Sequence, residues 1–199
     1  MSVFFMFIIA YLFGCVNFSI VISKLMLKKD VREYGSGNAG LTNTLRNFGK
    51  GAAALVLVGD VLKVVAALLI AWYLLPSQYS IYAAGLGVVL GHNFPAFYGF
   101  KGGKGILTTA AIIVFTNPIA GAIIIPIGLI IMFTTRYVSL GSIVICLLFP
   151  ILMYIMRTFD TSMLVFSLVI STMGIFMHRH NIKRLINGTE NRFGGKKNV

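Results

Sequence analysis

The sequence predicts an all-α fold, a polytopic integral membrane helix bundle of about seven transmembrane segments, built as one domain over residues 1–199. Three observations carry that prediction. Of the 199 residues, 58% are hydrophobic and 11% are charged, where a soluble domain carries about 25% charged residues. Apolar runs near the length that crosses a bilayer, about 20 residues, recur along the chain. Lys and Arg gather in the short polar loops between those runs. Mean hydropathy is accordingly high, at +0.91.

The first apolar run extends from about Val3 to Leu27. It has no basic n-region and no clear cleavage site, so it reads as a retained span rather than a signal peptide. A polar loop follows from Lys28 to Lys50 and holds Lys28, Lys29, Arg32, Arg46 and Lys50. Its excess of positive charge assigns it to the cytoplasm and the N-terminus to the outside.

The second span, about Gly51 to Leu75, stops at Pro76 and carries Asp60 and Lys63. Three positions apart on a helix, they share a face and can pair. A lone charge at mid-bilayer costs about 2.5–3.5 kcal/mol or more. The two side chains therefore form either a structural ion pair or part of a site lining. The third span, about Tyr79 to Phe97, contains Gly85, Gly87 and Gly91, and such small residues allow close helix packing.

Ile106 to Thr135 is apolar but interrupted at Asn117-Pro118 and again at Pro126. A single helix here would put Arg136 and the basic C-terminus outside. Two segments that turn near Thr116 keep both in the cytoplasm, so the split is predicted, with a first half too short to cross alone. A sixth segment runs from about Val138 to Met156, an outer turn includes Arg157 and Asp160, and a seventh runs from about Thr161 to Met177. The tail carries Arg179, Lys183, Arg184, Arg192, Lys196 and Lys197 and is cytoplasmic by the same rule.

Charge and composition exclude several functions. The net charge is +12, from 17 Lys and Arg against 5 Asp and Glu. Those cations lie in loops between spans and not on a soluble domain, which argues against nucleic acid as a partner. Cys15 and Cys146 sit inside apolar runs and read as small buried hydrophobes. The five scattered carboxylates do not make a two-metal centre, and no metal or cofactor is expected.

Three polar clusters remain, all predicted on the inner face. The first is Gly35-Ser36-Gly37-Asn38-Ala39-Gly40-Leu41-Thr42-Asn43-Thr44-Leu45-Arg46. Arg binds phosphate through two parallel hydrogen bonds and keeps its charge. The same residues also fit a Gly-Asn loop followed by a helix that Thr42 or Asn43 caps.

The second cluster is Phe100-Lys101-Gly102-Gly103-Lys104-Gly105, preceded by Gly91-His92-Asn93-Phe94-Pro95. Successive N–H groups of a Gly-rich turn can cradle an anion, and the helix that follows would point its positive end at the same spot. The usual P-loop pattern is missing, because Tyr98 stands where its first Gly would be and Gly105 replaces its Ser or Thr. A flexible basic turn fits as well.

The third cluster runs from His178 to Glu190. His178 and Asn181 share a helical face, whereas His178 and His180 do not, which argues against a zinc pair. A tail rich in Lys and Arg is also an ordinary membrane anchor.

Taken together, Ser36-Gly37-Asn38-x-Gly40-x-Thr42-Asn43-x-x-Arg46, Gly91-His92-x-Phe94-Pro95 with Lys101-Gly102-Gly103-Lys104-Gly105, and His178-x-x-Asn181-Ile182-x-Arg184-Leu185-x-x-Gly188-x-Glu190 resemble the PlsY family. These are bacterial acyl-phosphate:glycerol-3-phosphate acyltransferases. The resemblance covers nearly the whole chain and implies a seven-helix inner-membrane enzyme whose site opens to the cytosol. It implies transfer of a fatty acyl group from acyl phosphate to glycerol 3-phosphate, giving lysophosphatidic acid. Its partners would be those two substrates and membrane lipid, with a functional link to the enzyme that produces acyl phosphate.

By the same resemblance, Ser36, Arg46, Lys104, His178 and Asn181 are the expected catalytic residues. Asn38, Thr42, Asn43, Lys101, Gly102, Gly103, Gly105 and Ser142 are the expected substrate-binding residues, with Ser142 the weaker match. Asp60, Lys63 and Glu190 are expected to be structural. No Gly-x-Ser-x-Gly elbow is present, so an acyl-serine intermediate is not expected. A small anion or phosphate-ester transporter would also set glycines and cations near broken helices. It should add repeat symmetry, and none is visible.

Overall fold

A computed structural model describes residues 2–156 and 161–194. The turn expected at Arg157 and Asp160, and Lys196 and Lys197 of the tail, lie outside the described residues. Among those residues every regular element is helical. Four segments are long and apolar enough to cross a membrane: Val3–Leu27, Leu41–Leu74, Pro118–Thr135 and Val138–Ile155. Counting the bent pair Thr161–Met177 and Arg179–Ile186 as one span makes five. The helices Gln78–Asn93 and Ile106–Thr116, of 16 and 11 residues, fall short by that measure. The chain divides into two compact units, Met1–Thr116 and Asn117–Val199.

In the first unit the expected first span is two helices, α1 (Val3–Cys15) and α2 (Phe18–Leu27), broken at Val16-Asn17. Asn17 caps α2, its side-chain oxygen accepting from the Ile20 N–H at 3.2 Å. A helix break inside an apolar segment leaves backbone carbonyls and N–H groups without helical partners, and these must be met by other protein groups. Here α3 (Leu41–Leu74) meets them. Lys63 Nζ donates to the carbonyls of Val16 and Gly14 at 2.9 and 3.4 Å. Asp60 Oδ1 accepts from the Phe18 N–H at 3.4 Å. The two side chains also pair with each other at 2.6 Å, both nearly fully buried.

Gly40 is the N-cap of α3, with no side-chain cap, so the expected capping by Thr42 or Asn43 does not occur. Asn43 instead turns back into the preceding loop. Within α3, Gly49 has φ 84° and ψ −179°, a conformation essentially confined to glycine. It separates the loop-proximal turns from the long apolar part, close to the expected boundary at Gly51. Helix α4 (Gln78–Asn93) ends four residues before the expected Phe97, because Pro95 disfavours helical backbone at the residue before it. On α4, Gly87 and Gly91 lie against α1: a Cβ at either would strike the Phe7 or Tyr11 carbonyl. Helix α5 (Ile106–Thr116) completes the unit.

In the second unit, α6 (Pro118–Thr135) starts with Pro at its first position, where the missing N–H costs nothing. Asn117 caps it, accepting from the Ala120 N–H at 3.0 Å. Ile106 to Thr135 is therefore two helices, as the interruption at Asn117-Pro118 predicts, whereas Pro126 lies inside α6 and does not end it. Helix α7 (Val138–Ile155) packs on α6 through Gly141 and Gly128, and α8 (Thr161–Met177) packs on α7 where Gly174 meets Cys146. Helix α9 (Arg179–Ile186) turns off α8 by 59°. Cys15 and Cys146 are buried and unbridged.

Candidate active site

The first cluster is a loop held from inside by Asn43. Its amide nitrogen donates to the carbonyls of Val31 and Tyr34 at 3.0 and 2.9 Å. Its oxygen accepts from the Ser36 N–H at 3.1 Å and from Asn47 Nδ2 at 2.9 Å. The side chain is buried, and both donor hydrogens and both lone pairs are engaged. Asn43, expected as a substrate ligand, acts here by shaping the loop that presents Ser36. Ser36 and Arg46 are exposed, while Asn38 and Thr42 are half-buried.

The second cluster lies between α4 and α5. The N–H groups of Gly102 and Gly103 donate to the carbonyls of Asn93 and His92 at 3.1 and 3.0 Å. This corrects the expected nest, since those two donors are spent on the protein. What the loop offers a phosphate is the Lys101 and Lys104 side chains and the first turn of α5, whose N–H groups have no acceptor within the helix. The glycines are required for a second reason. A Cβ at Gly103 would strike His92 Nε2 and the Ala39 carbonyl, and one at Gly105, where φ is +73°, would strike the Asn93 amide. His92 is held in turn by Lys63, whose Nζ lies 3.0 Å from its Nδ1. An ammonium only donates, so Nδ1 accepts and the ring proton sits on Nε2. Asp60 and Lys63 are thus tied to the Gly-Lys loop through His92.

Sequence reading treats Arg32 only as loop charge, yet it ties the start of the first polar loop, at Asp30, to the second cluster. Its Nε and Nη2 donate to the two Asp30 carboxylate oxygens at 3.0 and 2.8 Å. Its Nη1 donates to the carbonyls of Tyr98 and Lys101 at 2.7 and 3.1 Å. The guanidinium holds the Asp30 carboxyl well below the ordinary carboxylate range. The spacing Asp30-x-Arg32 was the available signal, since a short loop can close such a pair on itself.

The third cluster centres on Glu190. Its Oε1 accepts from Asn181 Nδ2 at 2.7 Å and from the Ser139 hydroxyl at 2.9 Å. Its Oε2 pairs with Arg184 Nε at 2.7 Å. Partial burial opposes the charge, but the Asn181, Arg184 and Ser139 donors outweigh it and hold the carboxyl below its ordinary value. His178 Nδ1 lies 2.8 Å from the Gly174 carbonyl. A carbonyl only accepts, so Nδ1 carries a proton, which leaves Nε2 an acceptor in the neutral ring and a donor to phosphate in the imidazolium. The Ser142 hydroxyl donates to the Val138 carbonyl at 2.8 Å, so in this rotamer its oxygen is left only as an acceptor. Among the described residues no three His, Cys, Asp or Glu side chains group to hold a metal.

A family profile described as glycerol-3-phosphate acyltransferase matches residues 4–188. A glycerol-3-phosphate acyltransferase from Thermoanaerobacter pseudethanolicus is 46% identical over 192 residues, 96% of each chain. One from Clostridioides difficile is 40% identical over 195 residues, 96% of this chain and 95% of the relative. A crystal structure of PlsY, an integral membrane glycerol 3-phosphate acyltransferase, in its glycerol 3-phosphate form superposes with a TM-score of 0.90. It is 37% identical and covers 98% of this chain and 96% of that one. The lysophosphatidic acid form gives a TM-score of 0.87. With the helices and polar loops above, these matches define a multi-pass integral membrane acyltransferase. The chain belongs to the PlsY family of glycerol-3-phosphate acyltransferases.

Proposed function

We propose that this acyltransferase uses acyl phosphate as donor and glycerol 3-phosphate as acceptor. The observation that carries the reading is the likeness, over 98% of the chain, to a PlsY structure in its glycerol 3-phosphate form. A glycerol 3-phosphate hydroxyl attacks the acyl carbonyl, the bond from that carbon to the phosphate oxygen breaks, and phosphate leaves. Lysophosphatidic acid is the product, the first committed intermediate of phospholipid synthesis. Both substrates bring phosphate, and the three clusters bring Arg46, Lys101, Lys104 and His178. An acyl phosphate is already an activated anhydride, so charge stabilisation at the oxyanion and the leaving group supplies most of the acceleration.

Ser36, Arg46, Lys104, His178 and Asn181 serve this one reaction, with Asn38, Thr42, Lys101, Gly105 and Ser142 contributing to substrate binding. His178 holds phosphate, and the phosphate of a substrate takes the hydroxyl proton. Residues 1–199 then act as one catalytic domain of seven crossings, N-terminus outside, with the reaction at the cytoplasmic face. The supply of acyl phosphate links the enzyme to the one that makes this donor. Exposed apolar side chains on the spans, such as Leu62, Ile130 and Phe133, suit lipid and the acyl chain.

The test is purified protein given acyl phosphate and labelled glycerol 3-phosphate. Labelled lysophosphatidic acid is the expected product, and its absence with active acceptor and donor overturns the reading. Accessibility labelling of single cysteines at positions 36, 104 and 178 should find all three on the cytoplasmic side.

A further inference from the structure

The turn from Tyr98 to Lys101 that leads into the Gly-Lys loop is not at rest. Phe100 has φ +58°, left-handed backbone that a bulky side chain rarely adopts. Gly99 before it has φ +65°, which glycine accepts freely. Phe100 is exposed, at 61%, so its own packing does not account for the conformation. Two anchors do. The Tyr98 ring packs on the apolar cluster of Ile20, Val31 and Ala39, and the Phe100 N–H donates to the Pro95 carbonyl at 3.0 Å. The far end of the turn is closed by Arg32, whose Nη1 bridges the Tyr98 and Lys101 carbonyls.

We propose that Arg32, braced by Asp30, is a positioning residue that clamps the Tyr98–Lys101 turn and so sets where Lys101 and Lys104 meet a substrate phosphate. The inference rests on the reading of Lys101 to Gly105 as a phosphate-binding loop. Four N–H bonds from one guanidinium serve the clamp: two fix its plane on the Asp30 carboxylate and two grip the turn. Lys24 Nζ, 3.4 Å from Asp30 Oδ2, adds a second cation to the brace. The guanidinium also lies 5.9 Å from the centre of the Tyr98 ring, a distance that suits a cation over an aromatic face. A lysine at position 32 could not reproduce this, because a point-like ammonium lacks the planar fork.

The test exploits the strain. Lys104→Ala first identifies which substrate's KM depends on the loop. Arg32→Ala should raise the KM of that same substrate roughly tenfold or more, with a smaller change in kcat. Arg32→Lys should follow in the same direction and serves where Arg32→Ala folds poorly. Phe100→Gly alone should stay near wild-type kinetics. Phe100→Gly added to Arg32→Ala or Arg32→Lys should reverse a large part of the KM rise, because glycine holds the turn's backbone without a clamp. Unchanged kinetics in both Arg32 variants would overturn the inference. So would a KM rise confined to the other substrate, or no recovery from Phe100→Gly. An unchanged KM for both substrates in Lys104→Ala would instead reject the phosphate-loop reading on which the inference stands.

Discussion

The Lys63 ammonium donates to the Val16 carbonyl across 2.9 Å, so a charge on α3 completes the broken end of α1. That ammonium also neutralises Asp60 at 2.6 Å. Lys63→Met strands a buried carboxylate and is expected to cost about 3–5 kcal/mol. Adding Asp60→Leu should return part of that loss and not all of it, since the Val16 carbonyl stays unmet. Thermal unfolding in detergent measures both. A double variant no more stable than Lys63→Met would reject the pairing argument.

Gly103→Ala and Gly51→Ala make the same chemical change with opposite expected signs. At Gly103 the new methyl meets the His92 imidazole and the Ala39 carbonyl, while at Gly51 it meets nothing within 4 Å. Gly103→Ala should reduce kcat/KM by roughly tenfold or more through the displaced loop. Gly51→Ala should keep activity and add up to about 1 kcal/mol, as alanine does over glycine in a helix. Paired kinetics and melting curves check both.

Glu190 makes stability depend on pH. Its folded carboxyl titrates below the ordinary glutamate value, about 4.3. Its charge therefore contributes stability that is complete above that value and lost as pH falls through the folded pKa. Glu190→Gln should be less stable than wild type near neutral pH, and the gap should narrow on acidification. A gap that holds constant from about pH 6 to about pH 3 would disprove the linkage. The same variant should lower activity, because Asn181 loses a charged acceptor.

For His178→Ala the expected change is in KM. A phosphate ligand lost raises KM and leaves kcat within about tenfold, whereas a general base lost would lower kcat by about 10²–10⁴-fold. Saturation kinetics in both substrates separate the two.

Several boundaries are legible because a residue changes the local physics. Asn117-Pro118 starts a helix and Gly49-Lys50 breaks one, and both mark positions near those the sequence suggests. The break at Asn17 is not legible, because one Asn in an apolar run looks tolerable on its own. Its support comes from Asp60 and Lys63 on another helix. The three polar clusters stand out through crowded Gly, Asn and basic residues, but their wiring does not. Gly102 and Gly103 look like anion donors, yet they bond His92 and Asn93. Asn43 looks like a ligand and is consumed by its own loop. Arg32 looks like solvated charge and grips two carbonyls. Local chemistry can be read along the chain, whereas the partner of each donor depends on tertiary geometry.

The seam where Gly87 and Gly91 touch the α1 backbone fixes how far one helix can slide past the other. A shift of α1 by one helical turn, about 5.4 Å, would carry its last carbonyls away from the ammonium that receives them. The two helices can tilt as a unit, but they cannot slip. That pair therefore adjusts to a thinner or thicker bilayer through a shared tilt and not through a change of register.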